Sequence, residues 1–312
     1  MSAWRGCPPP GQLCRANSRN QMSILHNRKQ VLLLVPQIVL LAAMYAYPVV
    51  RTLVQSFYNA SFGSQPQVPV GLANYKTIFA DSAFWAACLN SLYWTGGNLV
   101  VQLTVPLFLA LLLNEKFKGV NVARATFLLP WVVPNVAFAV CMRWMLLPRF
   151  GIVAEILNRT IFPGMQMHVL GNGGWAMPTM ILLNSWKFLP FGTLMILASL
   201  QTIPREIYEA AMVDGAGAGR SFRYITFPFV SAMIWFMGFL AFSWNFNSFD
   251  LIWLMTQGGP GTSTQTLPVL IYRTAFKTMR LGEASTISVV VAVVLAALGV
   301  LYFLKLTPKK AA

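Results

Sequence analysis

Charge is what this sequence has least of. Only 10% of its 312 residues are Asp, Glu, Lys or Arg, against roughly 25% in soluble domains. That shortage argues against an ordinary soluble fold and for a membrane protein. Cysteine and histidine are scarce too: Cys7, Cys14, Cys88 and Cys141 show no CxxC spacing, and His26 and His168 are the two histidines. A zinc site or a disulfide framework is therefore not expected. A phosphate loop of the G-x-x-x-x-G-K-[ST] kind is missing, since "GGPGTST" at 258–264 lacks the lysine that such a loop needs. ATP hydrolysis is not the work of this chain.

What the sequence has in quantity is apolar side chains, 56% of the total. Six windows, near 31–57, 86–113, 122–147, 176–200, 228–254 and 284–305, are long enough to cross a bilayer, which takes about 20 residues. Period-2 alternation is absent from them, so they read as helices and a lipid-facing barrel is excluded. The expected fold is an all-α polytopic bundle of six transmembrane helices.

The net charge of +15 would suit a nucleic-acid binder, but the positions of the charges decide otherwise. With the N-terminus inside, the cytoplasmic segments hold Arg5, Arg15, Arg19, Arg28, Lys29, Lys116, Lys118, Arg124, Arg205, Arg220, Arg223, Lys305, Lys309 and Lys310. The other side holds Lys76, Arg149, Arg159, Arg273, Lys277 and Arg280. Fourteen against six places both termini in the cytoplasm by the positive-inside rule. The basic excess is topology, with no nucleic acid implied. Residues 1–30, with "CPPPG" and no apolar period, read as a disordered basic segment without a cleavable signal. The start is either Met1 or Met22. Residues 31–306 form the permeation domain and 307–312 a cytoplasmic tail.

On this topology the loop 201–224 lies in the cytoplasm. It carries Glu206, Glu209 and Asp214, three of the eight acidic residues. Pro204 suits the first turn of a helix, and the two glutamates near that start favour its dipole. Ile207, Ala210 and Ala211 supply a narrow apolar face, Gly215 ends the helix, and Ser221 is placed to cap a second one. Two short surface helices around a glycine elbow are expected. A plain solvated connector would have the same composition.

The spacing "EAA" (Glu209, Ala210, Ala211), three residues, Gly215, nine residues, then Ile225 and Pro228 resembles the E-A-A-x3-G-x9-I-x-L-P signature of ABC importer permeases. Phe227 stands where that signature has Leu. Three more segments resemble the carbohydrate-uptake branch, in its order: "GLANYKTIF" (71–79), "FNSFDLIWLMTQGGPGTSTQTLPVLIYRTAF" (246–276) and "LGEASTISV" (281–289). The likeness is to the first permease subunit of maltose, glycerol-3-phosphate or alginate type importers. It implies the type I permease fold in a bacterial inner membrane. Glu209, Ala210, Ala211, Asp214 and Gly215 would then form the coupling helix. The implied partners are a second homologous permease, two cytoplasmic ATPase subunits that use ATP and Mg, an external solute-binding protein, membrane lipid and a sugar. No cofactor is implied for this chain.

Polar groups at membrane depth are costly and mark function. Two clusters stand out, "NSWKFLPF" (184–191) and "SWNFNSFD" (243–250). Their indole, phenyl, amide and hydroxyl groups suit the faces and edges of a sugar ring. Resemblance to the maltose-type permease places the sugar contacts on Lys187, Phe188, Phe191, Trp244, Asn245 and Ser248, with Ala241 where that family has a polar residue. Each has a bland reading beside it: aromatics that pack or anchor, amides that tie helices together, and a lysine that snorkels to the surface. A Trp-Lys pair also resembles permeases for neutral sugars, so a neutral and an anionic substrate both stay open. Lys187 with Arg143 in the third span permits the anionic one. Asp250 either pairs with a basic neighbour or lies near the external mouth. No histidine cluster, paired carboxylates or Ser/His/Asp set gathers on one side, which counts against an integral-membrane enzyme. An ion- or proton-coupled secondary carrier is the remaining rival, and no internal repeat supports it.

Overall fold

The computed structural model describes residues 34–61, 68–115, 118–148, 150–160 and 168–306. The segment 1–30, the two candidate starts and the tail at 307–312 lie outside the described residues. The chain divides into two units, Met1–Val54 and Gln55–Ala312. The first is represented by α1, the apolar helix Leu34–Gln55 of 22 residues, which at 1.5 Å per residue spans about 33 Å, enough for a bilayer core. Arg51 finds a partner one turn back on the same helix, donating to the Tyr47 hydroxyl at 2.9 Å.

The second unit opens with a two-residue antiparallel ribbon, β1 (Tyr58–Asn59) and β2 (Val68–Pro69), followed by α2 (Ala73–Ala80). Helix α3 (Ser82–Asn114) starts where Asp81 accepts from the Ala83 N–H at 2.9 Å and runs 33 residues. Then come α4 (Val120–Phe127), α5 (Leu129–Val132) and α6 (Asn135–Met145). After α7 (Ile152–Thr160) the long α8 (Gly173–Leu200) crosses back, with Pro178 and Pro190 inside it. Helix α9 (Arg205–Val213) precedes α10 (Ala218–Ser221), which passes through a wide turn at Phe222–Thr226 into α11 (Phe227–Phe246). Helices α12 (Asp250–Thr256) and α13 (Leu267–Tyr272) lead to the last long helix, α14 (Leu281–Leu306).

Five of these helices are long and apolar enough to cross a membrane, and the bent pair Val120–Val132 and Asn135–Met145 makes a sixth span when counted as one. The third span is thus not the straight helix expected at 122–147. It turns by 89° at Val133 and Pro134, where proline disfavours helical backbone in the residue before it. The fifth span also differs from its expected 228–254. It begins earlier, as Ala218–Phe246 form a continuous 29-residue helix, and it ends at Phe246. The apolar run "LIWLM" that prolonged the window belongs instead to α12, whose Leu251, Ile252 and Met255 are buried against Phe138 and Ala139 of α6.

Three clusters hold this unit together. Around Trp94, Met177, Met180 and Ile252 the helices α3, α8 and α12 meet α6. Phe84, Phe246, Leu267, Ile287 and Val291 join α3, α11, α13 and α14. At one end of the long helices, Ala110, Ile196, Leu200, Ile203 and Val230 pack together beneath α9. Helices α3 and α8 approach closely at Gly192, where an added Cβ would stand 3.0 Å from Cγ of Pro106. Small residues at a crossing permit such an approach in membranes, where van der Waals packing drives association.

Candidate substrate cavity and coupling surface

The break between α5 and α6 has a consequence for chemistry: it places Asn135 at the start of a helix beside α8. Asn135 accepts a hydrogen bond from the Lys187 ammonium, which also lies 5.8 Å from the centroid of the Phe138 ring, within cation–π range. Lys187 has thus found an amide and a ring face, and no carboxylate. Next to it, rings from three elements form a wall. Trp131 stacks on Phe191 at 5.4 Å, and Phe191 and Phe188 each meet Trp244, at 5.6 and 6.0 Å.

These groups border a cavity of about 570 Å³, the size class of small-molecule sites. Lys187, Phe188, Trp244, Asn245 and Ser248 line it, together with Trp131, Asn135, Asn184, Gln102 and Asp250. Phe191, which the resemblance placed among the sugar contacts, is not part of the lining and instead packs on both tryptophans. Arg143 takes no part; its guanidinium donates to the Leu254 carbonyl at 3.1 Å, against α12. Asp250 is exposed and pairs with no base among the described residues.

Asn245 is 5% exposed and its amide is fully engaged. Its Nδ2 donates to Oε1 of Gln102 at 2.8 Å and to the Ala241 carbonyl at 2.7 Å, while its Oδ1 accepts from Asn184 at 2.8 Å. The second hydrogen of the Asn184 amide goes to Oδ1 of Asn98 at 2.7 Å, which also accepts from Ser185. The indole of Trp94 donates to the Asn245 carbonyl at 3.0 Å. Four amides from α3, α8 and α11 therefore lock three spans together under the cavity, where each unmet group would carry its full desolvation cost. Asn245 acts here as floor and tie. The α3 members escaped the sequence reading, although a signal existed: Ser91, Thr95, Asn98 and Gln102 recur at helical spacing in an otherwise apolar run, and each is at most 1% exposed.

The expected coupling residues come together on α9. Its inner side carries Tyr208, half-buried and hydrogen-bonded to the Thr226 hydroxyl at 2.9 Å, next to buried Ile203. Glu206, Glu209, Ala210, Met212 and Val213 are exposed, Val213 to 88%, so Ala210 leaves the apolar face expected for it with Ile207 and Ala211. The helix stops as expected at Gly215, in left-handed conformation at φ +72°. Ala216 N donates to the Ala211 carbonyl and Gly215 N to that of Met212, at 2.9 and 3.1 Å, the paired closure of a Schellman stop. Pro204 sits just before the helix rather than in its first turn. Ser221 caps nothing, because the second short helix runs straight on into α11. Glu209 also borders a cleft of about 1160 Å³ with Lys118, Arg124 and Arg205.

Residues 102–307, which include the ring wall, α9 and every amide of the floor but Asn98, match the family of binding-protein-dependent transport system inner membrane components. The chain belongs to this family. As a permease it is a membrane component of a transport system, and ATP hydrolysis belongs to a separate subunit. Among similar proteins, the sulfoquinovosyl glycerol transport system permease of Agrobacterium fabrum is 37% identical over 83% of this chain and 84% of its own length. The diacetylchitobiose uptake system permease of Streptomyces coelicolor is 28% identical over 89% and 86%. A chain from a bacterial ABC transporter involved in the import of the acidic polysaccharide alginate shares the fold. Its TM-score is 0.79 at 24% identity, covering 93% of this permease and all of that chain. The type I importer permease fold is thereby established.

Proposed function

We propose that this permease supplies half of the pathway of an ATP-driven importer for a sugar or oligosaccharide, and that Lys187 holds an acidic group on it. The observation that carries the reading is the cavity itself. A wall of Trp131, Phe188 and Trp244 backed by Phe191 offers flat apolar faces, and a lysine without a carboxylate partner faces the same space. Rings take the C–H face of a sugar; a cation at membrane depth is retained for something that neutralises it. Trp244 and Phe188 form the stacking surface, Ser248 supplies an edge contact, and Asn245 works through the floor. The relatives named for sulfoquinovosyl glycerol and diacetylchitobiose transport support a glycoside as cargo.

In this reading a second homologous permease completes the pathway and an external binding protein delivers the glycoside. Both termini lie in the cytoplasm, so α9 is presented to two ATPase subunits. Glu209, Ala210, Ala211 and Asp214 give that helix its docking face, and Gly215 sets its end. The test is uptake by the reconstituted importer with its binding protein. Lys187→Met should cut uptake of an acidic glycoside at least tenfold while its ATPase subunits stay bound. Unchanged uptake removes the acidic group from the reading.

A further inference from the structure

Lys187 is one of two charged residues lining the cavity; the other is Asp250. They do not neutralise each other. Among the described residues the ion pairs are Arg159 with Glu155 and Arg280 with Glu283, both distant in sequence from the cavity walls. Lys187 is held by the neutral Asn135 and the Phe138 ring. Asp250 opens α12, whose next residues Leu251 and Ile252 are 6% and 0% exposed, so the packing of α12 on α6 fixes the backbone from which this carboxylate meets the cavity. Two opposite charges kept apart in one space of about 570 Å³ each lack a partner that a ligand can provide.

We propose that Asp250 is a second pole of the substrate site, accepting hydroxyl hydrogens from a sugar diol, and that with Lys187 it selects a glycoside bearing a single negative charge. The proposal rests on the reading of Lys187 given above and adds a direction to it. A carboxylate is an acceptor with two oxygens, suited to two neighbouring O–H groups through short charge-assisted bonds. The acidic end of the glycoside lies at Lys187 and Asn135, and the neutral hydroxyl-bearing end at Asp250. A neutral glycoside leaves Lys187 unneutralised, and a polyanionic chain brings a second negative charge against Asp250. Both are disfavoured electrostatically, by an unpaired cation in the first case and by like-charge repulsion in the second.

The experiment is equilibrium dialysis of three radiolabelled probes against the purified importer complex in nanodiscs, without its binding protein. The probes are glucosyl glycerol, sulfoquinovosyl glycerol and dimannuronate, carrying no, one and two negative charges. The wild type should bind the singly charged probe at least tenfold more tightly than either other. Asp250→Asn, which keeps a residue suited to the start of α12, should weaken that probe about tenfold and bring dimannuronate level with it. Affinities unchanged by Asp250→Asn overturn the proposal, and so does an equal loss for all three, which assigns Asp250 to holding α12. Lys187→Gln is the separate control: if it leaves the singly charged probe unaffected, the reading of Lys187 fails, whatever Asp250→Asn does. A complex that hydrolyses ATP and binds none of the three overturns both.

Discussion

At the scale of single residues, the site depends on which polar groups are already engaged. Asn98 accepts from Asn184, Ser185 and Gln102 through one oxygen. Asn98→Leu strands these donors, and an unmet buried donor costs about 1–3 kcal/mol, less where neighbours in a membrane protein find new partners. Melting of the purified complex should therefore fall by several degrees in Asn98→Leu, whereas Asn247→Leu, at an exposed position, should melt as the wild type does. Equal melting of both variants would show that the amide floor carries no stability. The sequence made the ligand-facing types legible, since lysine and tryptophan in an apolar run announce themselves. It did not reveal that the Asn245 amide is used up, because its partners lie 143 and 61 residues away.

At the scale of elements, α9 and the α3–α8 crossing make separate demands. Gly215 holds φ +72°, a conformation that costs an L-residue with a Cβ roughly 1–2 kcal/mol. Nothing lies within 4 Å of an added Cβ, so Gly215→Ala tests the backbone alone. Its expected effect is a loss of coupled ATP hydrolysis out of proportion to a small fall in melting temperature, both read on the same purified complex. Gly192→Val should act oppositely, disrupting assembly, because its side chain meets Pro106 and Phe188; the yield of intact complex on size exclusion reports it. The stop of α9 was legible because a glycine stop is local, whereas the cap expected at Ser221 failed because that segment runs on into α11. The third span's bend was written in Pro134 but hidden by the length of the apolar window. The end of the fifth span was hidden for a different reason. Asn247–Phe249 contain neither glycine nor proline, and the following "LIWLM" is as apolar as a span although it is packed against α6.

At the scale of the whole molecule, the cavity and α9 sit at different places along the same helices, and the long helices connect them. The amide floor ties α11 to α3 and α8, and Tyr208 ties α9 to the wide turn at the base of α11 through Thr226. In the proposed reading a push on α9 would reach the helix that carries Trp244, and Ser248 just beyond its end, through hydrogen bonds and continuous helix. ATP hydrolysis belongs to a separate subunit in this family, and in the proposed reading that subunit would supply the push. A secondary carrier would need neither the partner nor an exposed α9. The most direct measurement is uptake of a labelled glycoside into proteoliposomes with Glu209→Lys beside the wild type. The account predicts uptake that requires ATP, the ATPase subunits and the binding protein, and that Glu209→Lys abolishes while the complex stays assembled. Uptake by this permease without ATP, or full ATP-driven uptake by Glu209→Lys, would contradict it.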